Sequence, residues 1–129
     1  MIHEDYLMRL LSTFFEALAK MQAMRKENFD EKIEKLYSTF LNKERNFFLE
    51  SNAHELVNYL DNNKNGVLIK TEILAELLLQ EAINCKTRET RTEFYAKSLH
   101  LFEKTENECN TFSFERLNKI ANIKLELEK

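Results

Sequence analysis

From Leu7 the apolar residues recur at Leu11, Phe14, Leu18 and Met21, in alternating steps of four and three. Side chains at that spacing stack on one face of a helix, turn upon turn. Leu10 and Ala17 widen the stripe, while Met8 and Phe15 lie off it, one heptad apart. A helix apolar over more than half its circumference is either enclosed by its own domain or covered by a partner. A central core helix is the first expectation, a partner-facing one the second. Arg25-Lys26-Glu27 then brings cationic side chains past the carbonyl end of this helix, where they complement its dipole. Asn28 offers an oxygen to cap a second helix, with Glu31 in box-like spacing behind it. Phe29, Ile33, Leu36, Tyr37 and Phe40 supply its buried face. So short a connection predicts antiparallel neighbours.

The period breaks at Asn46-Phe47-Phe48-Leu49, where consecutive large apolar residues predict a short segment plugging one end of the core. Asn52 and Glu55 repeat the cap-and-box spacing ahead of Leu56, Val57 and Leu60, which predicts a short third helix. Asp61-Asn62-Asn63-Lys64-Asn65-Gly66 is a turn, because Asn and Gly tolerate the left-handed backbone that other residues resist. A fourth helix runs from Val67 or Lys70 to Asn84 on Ile73, Leu74, Leu77, Leu78 and Ile83. A fifth, with Thr90 and Glu93 as cap and box, carries Phe94, Tyr95, Leu99 and Phe102. Thr105 to Asn110 is expected to be a polar linker. Ser113 then caps a last helix, with Phe114, Leu117, Ile120 and Ala121 on one stripe extended by Ile123 and Leu127. The sum is an all-α chain of about six helices in antiparallel pairs, forming a single helical domain over residues 1–129.

Composition supports the same class. The 129 residues include one Gly and no Pro, too few for the tight turns of a sandwich or barrel, or for a Gly-rich phosphate loop. With 43% hydrophobic and 32% charged residues, the make-up is that of a soluble globular protein. A chain of this length can bury a core without metal or disulfide. The net charge of −3 gives no electrostatic reason to approach nucleic acid or an anionic membrane. Cys85 and Cys109 are expected to be reduced intracellular thiols rather than a disulfide framework. Met1-Ile2-His3-Glu4-Asp5-Tyr6 lacks the basic and apolar blocks of a signal peptide. No stretch approaches the ~20 apolar residues that span a bilayer. The expected address is the cytoplasm.

The sharpest chemical signal is Asp61-x-Asn63-x-Asn65-Gly66-Val67-Leu68-Ile69-x-x-Glu72. Its spacing fits an EF-hand calcium loop, with side-chain oxygens from Asp61, Asn63 and Asn65, the Val67 carbonyl, and Glu72 closing the site. Only Asp61 and Glu72 bring charge, Ile69 stands where a polar residue is usual, and no second loop pairs with it. Calcium would therefore be held weakly. The competing reading is a helix–loop–helix corner whose Asn and Gly serve turning and capping. His3, His54 and His100 are scattered, with no partner at metal spacing on one helix face. Cys85 lies beside Lys86 with no neighbouring His or acid to complete a nucleophile, and Glu126 and Glu128 belong to a charged tail. No residue stands out as catalytic, no cofactor is implied, and an enzyme is not expected.

Met1 to Arg9 with the Phe14–Leu18 run, the Leu77–Ala82 stretch, Ala96-Lys97-Ser98-Leu99-His100-Leu101-Phe102 and Thr111-Phe112-Ser113-Phe114-Glu115-Arg116 together resemble a family of small bacterial helical proteins of uncharacterised function. That resemblance implies a tetratricopeptide-like fold of stacked antiparallel helix pairs, which commonly present a concave face to a protein or peptide. It brings no catalytic residues. The chain departs from the repeat pattern in lacking a clean Trp/Gly/Pro signature, and Leu79 stands where a small residue is usual. The expected function is therefore non-enzymatic, through contact with a protein partner or with itself. Met8, Phe15, Phe47 and Phe48 are the candidate contact residues, because exposed apolar patches mark interaction surfaces. The alternative is a weak calcium-binding module at Asp61, Asn63, Asn65, Val67 and Glu72.

Overall fold

The structure is a computed structural model that describes residues 2–23, 28–62, 66–109 and 113–129, with side chains from Tyr6 onward. Among the described residues there are seven helices and no strand: α1 (Ile2–Ala23), α2 (Phe29–Leu41), α3 (Arg45–Glu50), α4 (Ala53–Asn62), α5 (Val67–Ile83), α6 (Arg88–Glu108) and α7 (Phe114–Glu128). No helix among them is long and apolar enough to cross a membrane. Backbone contacts divide the chain into two compact units, Met1–Glu50 and Ser51–Lys129. The expected roles of Arg25, Lys26, Asn63, Asn65, Thr111 and Phe112, and of the His3 side chain, lie outside the described residues.

In the first unit, α1 buries Phe14, Leu18 and Met21 from its predicted stripe, with Leu7 and Leu11 half-buried. Tyr6 and Met8 are exposed, so α1 is not enclosed all round. α2 answers with Ile33, Leu36, Tyr37, Phe40 and Leu41, and the Phe14 ring meets Phe40 edge-on at 5.3 Å. Asn28 stands at the N-terminus of α2 as expected, but it works differently. It adopts a left-handed backbone (φ 66°), and its side chain makes no cap bond. Asn42 closes the same helix in the same conformation (φ 54°), its backbone N–H donating to the Ser38 carbonyl at 3.2 Å. The expected plug is a helical turn and a half, α3, which adds a seventh helix to the expected six. Its Phe48 is fully buried and stacks on Tyr37 at 5.4 Å.

In the second unit, Asn52 and Glu55 form the predicted reciprocal box ahead of α4. The Glu55 N–H donates to Asn52 Oδ1 at 2.8 Å, and the Asn52 N–H donates to Glu55 Oε1 at 2.9 Å. Gly66 enters α5 with φ 66°, a conformation that a Cβ would penalise. α5 is the enclosed helix of this unit. It buries Ile73, Leu74, Ala75, Leu77, Leu78 and Ala82, and also Thr71, Glu76, Gln80 and Glu81. Its most extensive partner is α6, reached through the short connection at 84–87, so the two run antiparallel. Where they cross, the Ser98 hydroxyl donates to the Ala75 carbonyl at 2.7 Å, and two small residues permit the close approach.

The predicted start of the fifth helix moves. α6 begins at Arg88 rather than behind Thr90, and Arg91 braces the preceding connection by donating twice to the Cys85 carbonyl, at 3.2 and 2.9 Å. The expected linker from Thr105 is helix as far as Glu108. Thr105 is only 1% exposed, and its hydroxyl donates back to the Leu101 carbonyl at 3.0 Å, so its polarity is spent inside the helix. Ser113 does cap α7, its hydroxyl accepting the Arg116 N–H at 3.2 Å. α7 then packs on α6 and buries Ile120 and Ile123.

Replacing Asn52 by Ala removes one half of the box and is expected to lower stability by about 1 kcal/mol. Urea unfolding followed by circular dichroism measures the loss, and an unchanged midpoint would mean the box is not holding α4.

Candidate functional site

Two helix faces of the second unit meet in register. On α5, Glu72, Glu76, Leu79 and Ile83 follow one another in steps of four, three and four; on α7, Arg116, Lys119, Ile123 and Glu126 follow in steps of three, four and three. Each series lies along one side of its helix. In each, the N-terminal half is charged; beyond it α5 presents Leu79 and Ile83, and α7 presents Ile123 with Glu126 beside it. The juxtaposed faces therefore divide into a polar clasp and an apolar groove.

In the clasp, Arg116 Nη1 donates to Glu72 Oε1 at 3.1 Å and Arg116 Nε to Glu106 Oε2 at 2.7 Å, tying α7 to both α5 and α6. Lys119 donates to the Glu76 carboxylate. Arg116 is 5% exposed and Glu76 is 2% exposed, so these are interior charges. Such groups are tolerable only when paired and hydrogen-bonded. Burial pushes the Glu76 carboxyl above its ordinary value against the pull of Lys119, with Glu72 and Glu115 adding in the same direction as burial. Burial alone would loosen the proton on Arg116, but the Glu106 hydrogen bond and the charge of Glu72 outweigh it and raise its pKa. The arrangement sets cations against carboxylates and holds helices; its chemistry is positional.

Beyond Lys119 the groove opens, with a volume of about 710 Å³. Leu79, Tyr95 and Ile123 line it together with Ile83 and Leu125, and Lys119, Glu126, Glu128 and Lys129 surround them. Ile83 is 53% exposed and Leu125 is 58% exposed. α7 makes its close packing with α6, whereas long Arg, Lys and Glu side chains bridge it to α5. Where those bridges stop, the shorter apolar residues leave a gap. Burial raises the Tyr95 phenol above its ordinary value, and Glu126 adds to the effect. Its hydroxyl therefore stays a neutral donor at physiological pH.

The residues singled out in the sequence do not converge here. Met8 is 61% exposed on α1, and Phe15 is half-buried against Phe14, their rings 5.5 Å apart. Phe47 is half-buried, edge-on to Phe48 at 5.2 Å, with the Lys43 ammonium 4.9 Å from its ring centre. Phe48 belongs to the interior and presents nothing to a partner. Of the calcium candidates, Asn63 and Asn65 lie outside the described residues. Val67 is already the first residue of α5, and its carbonyl accepts the Thr71 hydroxyl at 2.6 Å. Glu72 is engaged by Arg116, and Asp61 stands 3.8 Å from the Lys104 ammonium. A cation at Glu72 would have to displace a buried guanidinium.

Among the described residues no group of three or more His, Cys, Asp or Glu is placed to hold a metal ion. His54 lies 3.3 Å from Asn58, one turn away, and His100 is exposed. No single motif marks the groove; its trace in the sequence is Glu72 and Glu76 in one helical series against Arg116 and Lys119 in the other. The chain matches no family model, no curated protein and no solved structure.

Removing Arg116 as Ala strands Glu72 and Glu106 and is expected to cost about 3 kcal/mol, the lower range for a broken buried pair because both carboxylates keep some solvent. Denaturant unfolding reads this directly, and a loss under about 0.5 kcal/mol would place the cluster among surface ion pairs. Glu76 generates a pH signature. Its folded-state value lies above the ordinary one, so its contribution to stability is complete below the ordinary carboxylate value and is lost as pH rises through the raised one. Glu76→Gln does not titrate, so its stability relative to the native protein should improve as pH rises above the ordinary carboxylate value. Parallel pH–stability curves would contradict that.

Proposed function

We propose that this chain is a non-enzymatic helical module that works by protein–protein contact, its groove along α7 taking up the apolar face of a helix. The observation that carries this reading is the pairing of Ile83 and Leu125, two large aliphatic side chains each more than half exposed, at the edge of a groove floored by Leu79, Tyr95 and Ile123. Exposed apolar surface gathered in a concavity and rimmed by polar groups is what a docking face requires. The charged residues next to it support a non-catalytic role, since Glu72, Glu76 and Glu106 are occupied in ion pairs with Arg116 and Lys119.

The antiparallel α5–α6 hairpin, followed by α7, lends support to a tetratricopeptide-like kinship, which we include in the proposal. Cys85 and Cys109 are free thiols, and this favours a reducing compartment such as the cytoplasm. The calcium reading draws no support from this face, because Glu72 serves the clasp.

A designed amphipathic helix with leucines on one face and alternating Lys and Glu on the other is a suitable probe. Titrated into methyl-labelled protein, it should shift the signals of Leu79, Ile83, Ile123 and Leu125 while leaving the core methyls of Ile73 and Leu77 in place. Shifts scattered over the surface, or none, would reject the groove as a docking face.

A further inference from the structure

We infer that the first unit carries a contact site of its own, independent of the groove along α7, for an acidic segment of another protein built around one or two large apolar side chains. The site is a shallow cleft between α1 and α2. Phe14 meets Phe40, and beyond that contact later residues of α1 lie beside earlier ones of α2, so the two helices run antiparallel. α1 supplies Ala17, Lys20 and Met21, and α2 supplies Lys32, Lys35 and Leu36, each set in the spacing of one helix face. Ala17, Met21 and Leu36 make the floor. One lysine stands on the α1 side and two on the α2 side, and among the described residues the ionisable lining is lysine alone.

These lysines are uncommitted. Lys104, Lys119, Lys124 and Lys129 each meet a carboxylate, whereas Lys20, Lys32 and Lys35 pair with none among the described residues. Lys20 and Lys35 are exposed and Lys32 is half-buried, so an incoming anion can reach all three. Like charges gathered round one apolar patch repel one another, and a carboxylate among them relieves that repulsion. Their stems extend the apolar floor while the ammonium heads stay in water. An acidic occupant is thus drawn in by the heads, and its apolar side chain is dried by the floor and the stems.

Size and surroundings decide the class of occupant. The cleft holds about 210 Å³, less than the roughly 300–1,000 Å³ of a small-molecule pocket. It suits one or two side chains presented by a segment lying across it. Lys35 is shared with an adjoining hollow lined by Glu31, Glu34 and Glu44. A membrane surface or a nucleic-acid backbone is anionic over a wide area and would meet those carboxylates together with the lysines. A peptide can confine its acids to the cleft.

A synthetic peptide of Asp and Glu around a central Leu and Phe serves as the probe. Titrated into the full chain labelled at Ala, Ile, Leu and Met methyls, it should shift Ala17, Met21 and Leu36 and leave Ile83 and Leu125 in place. Lys20→Glu with Lys35→Glu, both at exposed positions, should weaken binding by about tenfold or more with unchanged circular dichroism. A peptide with Lys in place of its acids should bind that double variant better than it binds the native chain. Absence of shifts at Ala17, Met21 and Leu36 at millimolar peptide would overturn the site, whatever the groove along α7 does with its own probe. Equal binding by a peptide with Ser in place of Leu and Phe would overturn the part given to the apolar floor. Phosphatidylserine vesicles or duplex DNA that moved the same methyls at lower concentration than the peptide would overturn the assignment to a protein segment.

Discussion

The second unit depends on how α7 is held. Its inner face offers few buried apolar side chains, chiefly Ile120 and Ile123, and its tie to α5 is electrostatic, through Arg116 to Glu72 and Lys119 to Glu76, with Arg116 also reaching Glu106. Interior ion pairs are a costly way to join helices, since the desolvation of each charge must be recovered from its partner. What they supply is register. Apolar surfaces slide over one another with little penalty, whereas a guanidinium shared between two carboxylates fits at one position along α5. The groove exists because that register is fixed: Leu79 and Ile83 face Ile123 and Leu125 only while Arg116 and Lys119 stay opposite Glu72 and Glu76.

Local features of the fold were legible in the sequence, and the reasons are local. The α1 stripe through Phe14, Leu18 and Met21, the Asn52–Glu55 box and the Ser113 cap all depend on residues within a turn or two of each other, and all appear as the spacing predicts. Thr105 misled because a threonine in a polar run resembles a linker, yet its hydroxyl satisfies the helix's own backbone. Asn28 misled in a subtler way: the position was right, but a left-handed backbone replaced the expected side-chain bond.

The candidate site was far less legible. Glu72, Glu76 and Gln80 on α5 have the look of a solvated face, and Ile73, Leu74, Leu77 and Leu78 are enough to explain burial of the other side. Arg116 and Lys119, more than forty residues later, are what pair Glu72 and Glu76 inside the unit. A one-dimensional pattern records that a carboxylate is present, not that a cation from a distant helix has removed it from water. The same limit explains Phe47 and Phe48, identical neighbours in sequence. Phe48 is stacked on Tyr37 in the interior, while Phe47 is half-exposed beneath an ammonium.

The two left-handed asparagines that bracket α2, Asn28 and Asn42, together with the single Gly66, bear on the denatured chain as much as on the native one. Positive φ is usually delegated to glycine, which widens the range of shapes a chain explores before it folds. By assigning two such corners to asparagine, this chain keeps a Cβ at each of them and a narrower ensemble to search. Its stability is then drawn partly from disorder that was never available to be lost.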